Sequence, residues 1–163
     1  MTMRRAALIA LAAALAGLAV GGCGGGSGPR ENVGVFMTRI LREEINGKWA
    51  REWSELHPGH QRLITRSQYV ACSRALRTDI GTGAEVFRVL DVRSEAIDIR
   101  GIPQRSSKLV TISFRSRGSA NPLTYRLHAV AVNGRWAWIL GSGFLSEVAR
   151  GRCLDGSPLP ARN

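Results

Sequence analysis

Three cysteines, Cys23, Cys72 and Cys153, carry the most reactive side chains in this 163-residue sequence. A cysteine can serve as a nucleophile, as half of a disulfide or as a metal ligand. Cys72 and Cys153 are far apart, with no Cys-x-x-Cys spacing and no partnered histidine, so we expect no metal site. An odd number of cysteines leaves at least one that no disulfide within the chain can use.

Histidines and aspartates are the candidates for acid–base chemistry. His57 and His60 come nearest to a ligand pair, but they lie on a Pro-Gly turn with no third ligand nearby in sequence. Asp91 and Asp98 fall in predicted strands, where a buried aspartate would have a raised pKa and could act as a base. A surface aspartate that faces one of the many arginines is the simpler interpretation. His128 falls on the less apolar face of a strand. Because no nucleophile elbow, phosphate-binding loop or zinc-protease motif accompanies them, we predict no catalytic, cofactor-binding or metal-binding residues.

The N-terminus has the organisation of a secretory signal. Arg4 and Arg5 precede fifteen uncharged residues, Ala6 to Val20, and small residues follow. A membrane-spanning helix needs about 20 apolar residues, so this run is short for one. An uncleaved signal anchor is the alternative that stays open.

Val20-Gly21-Gly22-Cys23 resembles the lipobox of bacterial lipoproteins. The resemblance implies diacylglycerol on the sulfur of Cys23 and cleavage before it, which gives a lipid-anchored protein on the extracytoplasmic face of the cell membrane. Two or three acyl chains hold a protein firmly, because each buried methylene contributes about 0.8 kcal/mol. Ordinary signal cleavage that leaves a free thiol is the alternative.

If Cys23 carries lipid, Cys72 and Cys153 remain as an even pair. Outside the cytosol such a pair tends to oxidise, so we predict a disulfide between them. Closing a loop of this size stabilises a fold by roughly 4 kcal/mol in the chain-entropy model. Two separate buried thiols are the alternative.

The chain is strongly basic, with a formal charge of +11 that falls to +9 when Arg4 and Arg5 leave with the signal. Of 23 basic residues only Lys48 and Lys108 are lysines, a bias typical of a GC-rich genome. The arginines are spread along the chain, and nucleic acid is a poor partner for an exported protein. Anionic envelope polymers, an anionic membrane or an envelope protein are the partners that this charge favours. A solvated basic surface is the simplest interpretation.

Composition divides the chain into three parts: a signal peptide (residues 1–22), a glycine-rich tether (23–31) and one domain (32–163). About seven tether residues reach roughly 15 Å as a flexible coil. The domain is therefore expected close to the bilayer, and its length suffices for a hydrophobic core.

Helical spacing governs the first half of the domain. Apolar residues recur at i, i+3 and i+4 between Val33 and Ile45, and Asn46-Gly47 is a natural stop. A short second helix is predicted to end at Pro58-Gly59. A third, capped by Ser67, is predicted to run to about Thr78.

In the second half of the domain, apolar and polar residues alternate instead. Ala84–Arg100 is predicted to form one long bent strand or two short ones, and Val110, Ile112 and Phe114 share one face of another. Asn133-Gly134 predicts a two-residue hairpin loop. Pairing outward from it sets Ala131 against Trp136, Ala129 against Trp138 and Leu127 against Leu140. The fold class is therefore α+β, with N-terminal helices packed on one face of a curved antiparallel sheet.

The stretch GKWAREWSELHPGHQRLITRSQYVACSRAL resembles the helical half of exported actinobacterial-type domains of the nuclear transport factor 2-like superfamily, also called SnoaL-like or cystatin-like. The residues that match the superfamily pattern are Gly47, Ala50, Trp53, Leu56, His57, Pro58, Ser67 and Cys72, with Tyr69 slightly early. The resemblance implies a cone-shaped fold with a pocket between sheet and helices. Some members are enzymes that place Asp, His or Tyr inside the cone, but no such set maps onto this chain.

Seven aromatic residues could line that pocket, although most are expected in the core. They are Trp49, Trp53, Tyr69, Phe87, Phe114, Trp136 and Trp138. We interpret the protein as a non-enzymatic, lipid-anchored module that binds a small apolar ligand or an envelope component. One alternative is a small-molecule isomerase or hydrolase that uses an Asp or His within the cone. Another is a spacer that presents its basic surface to the envelope.

Overall fold

The computed structural model describes residues 28–76, 84–116 and 121–162. The predicted signal peptide, Cys23 and most of the tether lie outside the described residues. In these ranges four helices come first, four strands follow, and a fifth helix comes after the sheet. This arrangement belongs to the predicted α+β class.

Helix α1 (Val33–Ile45) has the bounds that its apolar spacing predicts. Asn32 caps it, because its side-chain oxygen accepts a hydrogen bond from the backbone N–H of Gly34 at 2.8 Å. The helix ends at Asn46, and Gly47 follows with a φ of 70°, the left-handed conformation that glycine adopts at helix ends.

Three shorter helices follow: α2 (Trp49–Ser54), α3 (Pro58–Gln61) and α4 (Arg66–Leu76). Pro58 begins a helix and does not end one, because a proline at the first helical position needs no N–H partner. Thr65, not Ser67, caps α4. Its hydroxyl accepts from the N–H of Gln68, and the Gln68 side chain accepts from the N–H of Thr65 at 3.1 Å, a capping box. Thr78 lies outside the described residues.

The sheet is antiparallel throughout, in the order β1 (Ala84–Ala96), β2 (Ser106–Ser116), β3 (Leu123–Val132) and β4 (Arg135–Ile139). The stretch predicted to run from Ala84 to Arg100 is one strand that ends at Ala96. A register shift between Val89 and Asp91 introduces a bulge in it.

The β3–β4 hairpin has the predicted turn. Asn133 and Gly134 have φ values of 49° and 74°, as a two-residue type I′ loop requires. Ala131 pairs with Trp136 and Ala129 with Trp138, as predicted. The predicted third pair, Leu127 with Leu140, is wrong, because β4 ends at Ile139 and the chain then turns into the fifth helix.

The two faces of the sheet carry different hydrophobic clusters. The larger cluster packs α1 against Val110, Ile112 and Phe114, the alternating residues of β2. The smaller cluster lies on the opposite face. It consists of Ile97, Ile102, Val130, Ala137 and Ile139. The segment after β1 thus covers part of the face that the helices leave open.

Helix α5 (Ser142–Ala149) was not predicted, although Phe144, Leu145 and Val148 have helical spacing. Beyond it, Cys153 lies at disulfide distance from Cys72 on α4, with the two Cα atoms 5.2 Å apart. The disulfide therefore ties the C-terminal segment to the helical layer. None of the helices in the described ranges is long and apolar enough to cross a membrane.

Candidate functional site

A half-open pocket of about 550 Å³ lies between the helices and the sheet. We call it the Glu52 pocket. Its walls come from α1, α2, α4, β3, β4 and the start of α5. The lining residues are Glu44, Ile45, Trp49, Glu52, Tyr69, Ser73, Leu76, Tyr125, Leu127, Trp138, Leu140, Gly141, Gly143, Phe144 and Leu154. Its size and its mainly apolar lining with a few polar groups are typical of small-molecule sites.

Local periodicity explains how these side chains converge. On α4, Tyr69, Ser73 and Leu76 are spaced i, i+4 and i+7 and share one face of the helix. On β3, Tyr125 and Leu127 are two residues apart and point to the same side of the sheet. Each element therefore contributes one regular row of side chains to the pocket wall.

Glu52 is the buried acid of this pocket, with 1 % of its surface exposed. Its backbone carbonyl accepts a hydrogen bond from the indole N–H of Trp138 at 2.9 Å, which fixes α2 against β4. Its carboxyl group is hydrogen-bonded to the hydroxyl of Tyr69. The second carboxyl oxygen, Oε2, has no hydrogen-bond partner in the described part of the chain. A buried polar atom without a partner is costly, and it marks a place where a ligand can bind.

The pKa of Glu52 is raised to about 9, mainly by burial and then by the neighbouring carboxyl groups of Glu44 and Glu43, while the Tyr69 hydrogen bond opposes the rise. Burial also raises the pKa of Glu44. The pKa of Tyr69 is raised well above its ordinary value, first by burial and then by Glu52 and Glu44. At neutral pH, Glu52 and Tyr69 are therefore both uncharged, and the pocket offers neutral acid and phenol groups.

The predicted aromatic residues divide among three places. Trp49, Tyr69 and Trp138 line the Glu52 pocket. Phe87 and Phe114 stack within the core, with ring centroids 5.8 Å apart. The remaining two lie elsewhere.

Trp53 and Trp136 both lie away from the Glu52 pocket. The indole N–H of Trp136 donates to the carbonyl of Glu31 at 2.7 Å, near the start of the described chain. Trp53 lines a separate concave surface of about 700 Å³, which we call the Trp53 groove. Lys48, Arg51, Arg66 and Arg74 surround it.

The two histidines on the Pro-Gly turn hold the fold together. His60 is fully buried; its Nδ1 accepts from the N–H of Leu140 at 3.0 Å, and its Nε2 lies 2.9 Å from the carbonyl of Arg100. Burial lowers the pKa of His60 to about 4, so the ring is neutral and Nε2 donates. His57 accepts from the N–H of Gly59 and caps α3.

A glycine is needed at position 59, between His57 and His60, because a Cβ on Gly59 would come within 1.8 Å of the Gly101 carbonyl oxygen.

The remaining sequence candidates also lie outside the pocket. His128 contacts the hydroxyl of Ser107 at 2.9 Å. The side chains of Asp91 and Asp98 are 49 % and 90 % exposed and face Arg93 and Arg105. No group of three or more potential ligands is arranged for a metal ion within the described ranges.

Sequence reasoning missed both Glu44 and Glu52, although a signal for each was present. Glu44 is three residues after Leu41 and four after Ile40, so it continues the apolar stripe of α1. Glu52 is three residues after Trp49 and four before Leu56, so it shares a helical stripe with these two apolar residues. An acid inside an apolar stripe is the pattern that could have identified both.

Comparison with protein-family models, with curated proteins and with solved structures finds no match to this chain.

Proposed function

We propose that this protein is a lipid-anchored, extracytoplasmic module that binds a small molecule in the Glu52 pocket. The observation that carries the proposal is the unpartnered Oε2 of Glu52, buried in the wall of a pocket of about 550 Å³. Buried side-chain oxygens of Glu43, Glu95 and Gln104 also lack a partner in the described ranges, but of these four residues Glu52 is the one that lines the pocket.

The anchor is proposed from the N-terminal sequence. The basic start, the apolar run and the lipobox-like Val20-Gly21-Gly22-Cys23 support it. Since Cys72 and Cys153 lie at disulfide distance, Cys23 is the cysteine left for another role. We place the domain at the outer face of the cell membrane on this basis.

We further propose that residues 32–163 are a nuclear transport factor 2-like, cystatin-like cone. Helices that precede an antiparallel sheet and a pocket between the two layers support the proposal. So does the placement of the quoted motif on α2, α3 and α4. A crystal structure whose sheet does not curve around the Glu52 pocket would remove this assignment.

Native mass spectrometry of the protein from its own membranes tests anchor and ligand together. We expect a mass that corresponds to cleavage before Cys23 with acyl chains attached, and an additional small molecule that dissociates on activation. Cys23→Ser should lose the acyl mass and leave the membrane fraction. An intact signal, or an unmodified Cys23, would overturn the anchor.

A blocked pocket is the control for the ligand. Gly143 lines the pocket and has open space where a Cβ would be, so Gly143→Trp should exclude the small molecule without unfolding the domain. Val35→Trp, at a residue 60 % exposed on α1, should retain it. If no small molecule accompanies the wild-type protein or any variant, binding in this pocket is contradicted.

An isomerase or hydrolase is the second candidate, and the hydrogen-bonded Glu52–Tyr69 pair favours it. A carboxyl group with a pKa of about 9 is protonated at neutral pH and can act as a general acid. An enzyme would release its product, so Glu52→Gln should accumulate a substrate that is absent from the wild type. The substrate of a hydrolase is recognised by its mass, and that of an isomerase, which has the mass of its product, by its chromatographic retention. Identical molecules in both proteins would indicate binding alone.

The Trp53 groove is the place where we propose that an anionic envelope polymer binds. Four cations border it, and two aromatic residues, Trp49 and Trp53, line it. Arg66→Ala with Arg74→Ala should weaken retention on a polyanionic wall polymer relative to Arg88→Ala with Arg126→Ala on the sheet. Equal retention of the two double variants would argue against this assignment.

A further inference from the structure

The Glu52 pocket combines carboxyl groups with aromatic rings in an otherwise basic protein. Two acids, Glu44 and Glu52, contribute to its lining, and no basic residue does so within the described ranges. The formal charge of the whole chain is +11. Carboxyl groups that ionise when a cation lies beside them select ligands of positive charge.

Aromatic rings form much of the rest of the wall. Five of them line the pocket: Trp49, Tyr69, Tyr125, Trp138 and Phe144. Tyr69 packs edge-on against Trp138, with centroids 6.1 Å apart, and lies 6.0 Å from the ring of Phe144. Aromatic faces attract cations, and walls of this kind recognise quaternary and alkylated ammonium groups.

We propose that the ligand of the Glu52 pocket is an organic cation, an alkyl- or arylammonium ion whose charged group lies beside the carboxyl groups of Glu44 and Glu52. The apolar part of the ligand occupies the space between Leu127, Leu140 and Phe144. The ammonium group supplies the counter-charge that the ionised form of Glu52 lacks. This inference rests on the proposed function, binding of a small molecule in this pocket.

Binding of such an ion is coupled to proton release. Without a ligand Glu52 is protonated at neutral pH, and the ammonium group favours its ionised form. The groups that face Glu52 are Glu43 and Glu44 of α1, Tyr69 of α4 and, beyond Glu44, Tyr125 of β3. Glu43 is paired with Arg51 at 2.9 Å and keeps its own counter-ion. The proton released therefore comes from the Glu44–Glu52 pair.

The probes are benzyltrimethylammonium and its neutral isostere neopentylbenzene, which have the same shape and differ in charge. Tryptophan fluorescence of the purified full-length protein reports binding, and calorimetry in two buffers of different ionisation enthalpy reports protons. We expect the cation to bind about tenfold more tightly than the isostere at pH 7.5. Its affinity should rise between pH 6.5 and 8.5, because ionising Glu52 then requires less free energy.

Glu52→Gln removes the charge and keeps the shape, so it should abolish most of the preference for the cation and the proton release. Glu44→Gln should reduce both. Glu55 lies outside the pocket and pairs with Arg39 of α1 at 3.0 Å. Glu55→Gln should therefore retain both the preference for the cation and the proton release.

Each outcome separates the two proposals. Equal affinities for the two probes, or a preference that survives Glu52→Gln together with Glu44→Gln, would overturn the cation and leave small-molecule binding intact. If neither probe binds, the proposal of a cationic ligand is overturned as well. If, in addition, no small molecule co-purifies with the protein, the proposed function is overturned too.

Discussion

At the residue scale, Glu52 and His60 are two buried ionisable groups with opposite dependence on pH. Both are neutral in the folded protein near pH 7, since burial disfavours their charged forms. Glu52 has a polar atom without a partner, whereas both ring nitrogens of His60 are occupied. This difference separates a group that is available to a ligand from one that stabilises the fold.

Glu52 should make the protein less stable as pH rises. Its pKa is about 9 in the folded protein and near 4.5 when unfolded, so its stabilising contribution is complete below pH 4.5 and is lost as pH rises through 9. Between pH 7 and 8.5 we expect the free energy of unfolding in urea to fall by up to about 1.4 kcal/mol per pH unit. Glu52→Gln should flatten this slope and Glu55→Gln should not. A flat wild-type profile would contradict the prediction.

His60→Leu should destabilise the protein by about 2–4 kcal/mol at pH 7, because the N–H of Leu140 and the carbonyl of Arg100 both lose their partner. His128→Leu is the matched control, since His128 is half-buried and contacts the hydroxyl of Ser107. Urea unfolding should give it less than half of the loss at His60. Equal losses would mean that the His60 bonds contribute little.

His60 should also make the stability of the protein depend on pH in the acid range. The pKa of His60 falls from 6.5 to about 4 on folding, so its contribution to stability is present above pH 6.5 and is lost as pH falls through 4. His60→Leu should therefore lose less stability than the wild type does when both are acidified from pH 6.5 to 4.

At the element scale, the capping box at Thr65 gives a test of how α4 begins. Thr65→Ala removes the hydroxyl that accepts from the N–H of Gln68, and should cost about 1 kcal/mol of unfolding free energy. Ser67→Ala, two residues later on the exposed first turn, should change it by less than about 0.5 kcal/mol. A larger loss of unfolding free energy for Ser67→Ala than for Thr65→Ala would identify Ser67 as the N-cap instead.

The elements that the sequence predicts well are those with a strong period and a clear stop. α1 has both, and so does the hairpin at Asn133-Gly134, whose turn geometry needs positive φ at both residues. Pro58 was harder to assign, because proline both follows one helix and starts the next. α5 is short, and its apolar spacing spans little more than one turn, so tertiary packing decides it.

The pocket was harder to predict than the fold. Three of the seven aromatic residues that the sequence offered as pocket lining do line the pocket. The other four are aromatic as well but lie elsewhere: Trp53, Phe87, Phe114 and Trp136. The two acids were missed because burial of a carboxyl group depends on the packing of α1, α2 and α4 together. An acid inside an apolar stripe marks a candidate for burial, but the stripe alone does not show which elements pack against it.

At the scale of the whole molecule, the disulfide connects two distant parts of the chain. Cys72 and Cys153 are 81 residues apart, and the segment between them contains the whole sheet. Cys72→Ala with Cys153→Ala should lower the free energy of unfolding by about 4 kcal/mol in the chain-entropy model. Reductant should destabilise the wild type by a similar amount and leave the double variant unchanged. Sensitivity of the double variant to reductant would contradict this explanation.

The bond between the Trp136 indole and the Glu31 carbonyl has a mechanical consequence. It joins the N-terminal end of the described chain to β4, 105 residues later, beside the hairpin turn. Arg39 of α1 holds the side chain of Glu31 as well, at 3.3 Å. A force applied through the N-terminal segment is therefore shared between α1 and the last strand of the sheet. A protein held by one end against the drag of its surroundings would carry that load on both layers of its fold.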